Sequence, residues 1–109
     1  MSTNYESALT LVTDIDAAGS TAETNTELVA ASTSVIINVA YIFYSCDTAM
    51  EVLLESGTST ERFRFYPAAN GGANILAPKG TFLFSTVAGE SLTYTTDAAG
   101  KHMIVVGYL

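Results

Sequence analysis

Apolar and polar residues alternate with a period of two along most of this chain, and no stretch carries a sustained helical period. Ala8–Ile15 sets Leu9, Leu11 and Thr13 on one face of an extended segment. Glu27–Ser32 is a short apolar run. Ser34–Cys46 places Val35, Ile37, Val39, Tyr41 and Phe43 on one face and Ile36, Asn38, Ala40, Ile42 and Tyr44 on the other. Both faces are largely apolar, which predicts a central strand covered on two sides. Ala49–Ser56 sets Met50, Val52 and Leu54 against Glu51, Leu53 and Glu55. Glu61–Pro67 sets Phe63 and Phe65 against Arg62, Arg64 and Tyr66. These two read as half-buried strands with one polar side. Thr81–Val87, Ser91–Thr96 and Lys101–Leu109 follow as further short β-rich runs, separated by AGE and DAAG.

The punctuation between these runs fixes their connections. SGTST after Glu55 has the length and the glycine of a hairpin loop. It is expected to lay Glu51 and Glu55 beside Arg62 and Arg64, as cross-strand opposite charges. FYPAANGGANILAPKGTF sets two turn signals, Asn70-Gly71-Gly72 and Pro78-Lys79-Gly80, around one apolar patch. A phosphate-cradling loop needs a helix behind it, but strand-like sequence follows here. The stretch is therefore expected to be a scaffold corner in which the glycines supply positive φ. DAAGSTAETNTE, from Asp16 to Glu27, reads as loop. The whole pattern predicts an all-β antiparallel sandwich or meander.

Composition narrows the picture. The chain has 109 residues, 49% of them hydrophobic, which suits one small domain and not a disordered tail. Its single cysteine, Cys46, excludes an intrachain disulfide. The longest apolar run, Val35–Tyr44, is broken by Asn38 and is too short to span a bilayer. The N-terminus lacks the basic and apolar segments of a secretory signal, so a chain made and kept in a cytoplasm is expected. The net charge of −7 is unevenly spread: residues 1–61 carry −9 and residues 62–109 carry +2. Such a split suits pairing between the halves or between copies. There is no basic stripe for nucleic acid.

Candidate chemistry is sparse. Asp14-x-Asp16 with Gly19 matches the start of a calcium loop, but Ala18 and Asn25 stand where the fifth and twelfth ligands belong, so a solvated turn is expected. His102 is the one histidine, with no nucleophile elbow or cysteine-protease signature elsewhere; a structural role is expected. The carboxylates are expected to face water. No catalytic residue, metal ligand or cofactor site is assigned.

From Leu28 to the C-terminus the chain resembles a group of small virion proteins of tailed bacteriophages. The resemblance rests on the order and spacing of an apolar strand pair, VLLESGT (Val52–Thr58), AANGG (Ala68–Gly72), the Pro78–Gly80 turn, the aromatic Thr81–Phe84, TVAGESLTYTT (Thr86–Thr96) and a closing strand from His102 to Tyr108. It implies a single β-sandwich, jelly-roll-like, that decorates or cements a phage head as a homotrimer and is not an enzyme. The implied partners are the major capsid protein and further copies of itself, with neither nucleic acid nor membrane. The implied location is the capsid surface of the virion. A fibre-associated or receptor- or glycan-binding module is the alternative.

The first 27 residues fall outside the resemblance. They are expected to form an N-terminal arm and first strand, ahead of a sandwich domain at 28–109. They hold five carboxylates and no basic residue. Tyr5, Leu9, Leu11 and Val12 are the candidate partner contacts of that arm, and Arg62 and Arg64 are candidates from the basic half.

Overall fold

The computed structural model describes residues 9–109. Nine strands and no helix make up the described chain: β1 (Thr10–Asp16), β2 (Thr26–Val29), β3 (Asn38–Cys46), β4 (Val52–Ser56), β5 (Thr60–Phe65), β6 (Gly72–Leu76), β7 (Phe84–Ser85), β8 (Leu92–Thr96) and β9 (His102–Tyr108). They form two antiparallel sheets. The first runs β1-β9-β3-β6, with β7 also on β3; the second runs β2-β8-β4-β5.

The order has a simple origin. With the two-residue β7 set aside, β1 pairs β9, β2 pairs β8, β3 pairs β6 and β4 pairs β5. These nested pairs describe one long antiparallel ribbon whose tip is the β4–β5 turn. Rolling the ribbon brings β3 against β9 and β4 against β8, which closes the two sheets. The result is the expected antiparallel β-sandwich, and its nested pairing is that of a jelly roll. β1 and β2 sit in opposite sheets, so from Thr10 onward the segment assigned to an arm is woven into the sandwich.

The core lies between the sheets. Val39, Ile42, Tyr44, Ile104 and Val106 from the first sheet meet Val52, Leu54, Leu92 and Tyr94 from the second, all fully buried. β3 does not keep one alternation throughout. The register shifts between Val39 and Tyr41, so that Ala40 is an extra residue opposite β9. The bulge reverses parity. Ile37 and Val39 point inward before it, and Ile42, Tyr44 and Cys46 point inward after it. Tyr41 and Phe43, expected on the same side as Val39, are turned to the outside.

The β4–β5 hairpin forms where expected, but a second shift, between Leu54 and Glu55, places Glu55 opposite Glu61 and leaves Arg62 out of register. Arg64 bridges Glu51 at 3.1 Å and Glu61 at 2.6 Å. Glu55 instead takes a hydrogen bond from the Thr95 hydroxyl at 2.7 Å and is nearly buried. The expected Glu55–Arg pairing is thus replaced by a carboxylate–hydroxyl contact.

The Asn-Gly-Gly corner also differs in detail. Asn70 takes the positive φ of 56°, and neither Gly71 nor Gly72 does. The glycine at 72 answers to space, since a Cβ there would collide with the Tyr44 carbonyl. The apolar patch between the two turns, Gly72–Leu76, is an edge strand in its own right, β6. The Pro78–Gly80 turn closes with the Thr81 amide donating to the Pro78 carbonyl at 3.0 Å, Gly80 carrying a φ of 84°.

Candidate functional site

Two features stand out: an uncharged sheet face, and a cluster of polar side chains inside the sandwich. The face is the outer surface of the first sheet. β1 presents Leu11, Thr13 and Ile15 to it, with Leu9 just ahead of the strand, because Val12, Asp14 and Asp16 take the inward positions. Leu11 is 61% exposed and Ile15 63%. β9 adds Met103 and Val105, β3 adds Tyr41 and Phe43 through its bulge, and β6 adds Leu76, itself 46% exposed. Gly107 lets this surface lie flat. A Cβ there would meet Leu9, Tyr41 and Leu11 side chains at 3.0–3.2 Å, so its absence allows the β1 leucines to lean over β9. No outward position of the four long strands carries a charge. Leu9, Leu11, Tyr41 and Leu76 surround a hollow in this face.

The outer surface of the second sheet is the opposite in character. Glu27, Glu51, Glu55, Glu61 and Arg64 belong to it, with Thr93 and Thr95 between them. Among the described residues, charge is thereby segregated from one broad face.

The expected contact residues are divided by this geometry. Leu9 and Leu11 lie together on the uncharged face. Val12 points the other way and packs on the core. Arg62 and Arg64 belong to the second sheet, on the far side of the sandwich, and Arg64 is engaged within its own chain. Tyr5 lies outside the described residues.

The polar cluster gathers Asp14 of β1, Glu23 of the β1–β2 connection and His102 of β9. One ligand-type atom from each lies within 4.8 Å of the others. The His102 side chain is 1% exposed and that of Glu23 15%. Gly100 presents a carbonyl to His102 Nδ1 at 3.0 Å, so Nδ1 carries the hydrogen. Nε2 then faces the Tyr94 hydroxyl at 2.9 Å and Glu23 Oε2 at 3.8 Å. Tyr94 donates to Asp14 Oδ2 at 2.6 Å. Burial, followed by that bond to Asp14, pushes the Tyr94 phenol well above its ordinary range. The imidazole is stacked on Tyr44, with ring centroids 5.7 Å apart. Asp16 borders the cluster, interacting with Glu23 and His102, and is also a turn residue, its Oδ1 accepting from the Gly19 amide at 2.8 Å and the Ala18 amide at 3.2 Å. The Gly19 bond holds its carboxyl below the usual range.

Sequence reasoning missed this cluster. It places Asp14 in water, because Leu9 and Leu11 are the natural inward residues of β1. The available signal is the Val12-x-Asp14-x-Asp16 series: a strand whose leucines lie outside must put these inside. Glu23 is brought in by a loop, and no spacing rule could place it.

Searches of known protein families, of curated proteins and of solved structures find no match to this chain.

Proposed function

We propose that this chain is a non-enzymatic structural protein of a phage virion, a capsid decoration or cement module that binds the outer surface of a head as a homotrimer. The observation that carries the assembly part is the uncharged outer face of the first sheet. Exposed apolar patches of this breadth on a small domain mark interaction surfaces. On a chain of net charge −7 it is also where two copies approach with least repulsion. We assign it to contacts between copies of the chain. The capsid part comes from the sequence resemblance, and we assign the capsid contact to the segment preceding β1, which holds Tyr5. Repetition across a symmetric shell would turn weak single contacts into tight attachment.

Sedimentation of the purified protein at micromolar concentration tests the first part. A trimer is expected, and Ile15→Asp should sediment as a folded monomer, its melting temperature lower only by the stabilisation that association gives the wild type. A monomeric wild type overturns the assembly reading. Co-sedimentation with empty phage heads tests the second part. Binding to a glycan array with no binding to heads would favour a fibre-tip module instead.

A further inference from the structure

We propose that Asp14, Glu23 and His102 form a divalent-cation site that ties the edge strand β1 and the loop after it to the body of the sandwich. The three side chains come from three separate parts of the chain and converge to within 4.8 Å. One imidazole nitrogen and two carboxylates form a donor set suited to Zn²⁺ and its first-row neighbours.

Each candidate ligand is already oriented by a partner of its own. His102 Nδ1–H is held by the Gly100 carbonyl, with Nε2 2.9 Å from the Tyr94 hydroxyl and 3.8 Å from Glu23 Oε2. Glu23 Oε1 accepts from the Thr26 hydroxyl at 2.7 Å, which leaves Oε2 turned toward the imidazole. Asp14 Oδ2 accepts from Tyr94. Such outer partners are a regular feature of metal sites, where they fix the tautomer and the ring orientation.

The charge of the cluster gives a second reason. Tyr94 donates its one hydroxyl proton to Asp14 Oδ2 at 2.6 Å, and its oxygen also stands 2.9 Å from His102 Nε2. Nε2 has that oxygen as its hydrogen-bond partner, on a side chain 1% exposed. Among the described residues no Lys or Arg forms an ion pair with Asp14 or Glu23. A cation would balance the two carboxylates and take the imidazole as its nitrogen ligand. The role is structural: the ion would join β1, β9 and the β1–β2 connection at the end of the sheet that contains the edge strand.

The test uses the full chain, stripped with a chelator and returned to metal-free buffer. Calorimetric titration with ZnCl₂ should show one ion per chain, and the melting temperature should rise with zinc concentration, as it must for a ligand of the folded state. Replacement by Co²⁺ should give the visible absorption of a low-symmetry nitrogen–oxygen site. Glu23→Gln removes one charge and hardly any volume, so it should fold. It should weaken zinc binding by about 10-fold or more, the loss typical of a removed metal-site group. His102→Gln should abolish the site, and because His102 is buried, Glu23→Gln keeps the test decisive if His102→Gln does not fold. No thermal response to millimolar zinc, or an equal response in Glu23→Gln, overturns the proposal. The second result would place zinc on surface carboxylates, and the first would leave the cluster as a hydrogen-bonded network without a metal. Neither result bears on trimer formation, which is measured separately.

Discussion

Gly72 lies so close beneath the Tyr44 carbonyl that a methyl group in place of its hydrogen would overlap that oxygen. The contact is a consequence of pairing. β6 runs along β3 with Tyr44 opposite Ala73 and Ser45 opposite Gly72, at the point where the chain enters the edge strand from a tight turn. Backbone on both sides of the contact leaves no flexible side chain to yield. Gly72→Ala is expected to cost about 1–3 kcal/mol, the range for forcing extra volume into packed structure. Gly71→Ala should cost less, because its nearest obstacle is the Ala68 carbonyl at 3.0 Å. Thermal denaturation of the two variants side by side checks the order.

Tyr94 joins the two sheets through its hydroxyl, which reaches Asp14 on β1 and His102 on β9. Tyr94→Phe keeps the buried ring and removes the donor. Asp14 then loses its donor and His102 Nε2 its hydrogen-bonded neighbour, a change worth about 1–3 kcal/mol. The urea midpoint should fall with an unchanged slope, since the surface exposed on unfolding stays the same. A midpoint equal to wild type would mean that water replaces the hydroxyl without loss.

Cys46 is buried beneath the Asn70 corner, its Sγ 3.5 Å from the Ala68 carbonyl. Burial pushes its thiol above the ordinary range. The reactive thiolate is therefore scarce near neutral pH, and the sulfur is also shielded. Titration with a chromogenic disulfide reagent should be slow in the native protein and fast in denaturant. Rapid labelling of the folded protein would show that the β5–β6 corner opens readily.

Arg64 makes two short contacts with carboxylates, yet all three side chains are open to solvent and the bridges are subject to screening by salt. Arg64→Ala is expected to leave the melting midpoint unchanged within error, at low salt and at high. A clear loss of trimer in this variant would move the assembly surface to the second sheet.

The course of the strands was legible because period-two patterning is imposed by the pleat itself. Met50, Val52 and Leu54, or Phe63 and Phe65, could face only one way. The bulge at Ala40 was not legible. Val39 and Tyr41 are both apolar enough for a core, and nothing local says that one belongs inside and the other at the surface. β6 was hidden because Gly72–Leu76 is short and lies between two turn signals. The orientation of β1 was misleading for a stronger reason. Burial of leucine is the default expectation, and β1 instead turns Val12, Asp14 and Asp16 inward and Leu11 outward. The polar cluster depended on that same inversion, together with a loop residue that only the folded chain brings near.

The inversion of β1 gives the sharpest experiment on the molecule. Leu11 and Val12 are neighbours in sequence, on the same strand, with opposite surroundings: one is 61% exposed on the uncharged face, the other packs on the core. Val12→Ala deletes two methyl groups from the interior and should lower stability by about 1–2 kcal/mol, with the trimer retained at temperatures where the protomer is folded. Leu11→Ser paired with Ile15→Ser removes apolar area that faces solvent in the single chain. That double variant should melt as a wild-type protomer does and fail to associate. Sedimentation velocity and thermal melts on both variants separate the two effects. If the outer-face variant unfolds while Val12→Ala is indifferent, β1 is packed with the reverse face inward. If both variants associate normally, the uncharged face is not where the copies meet.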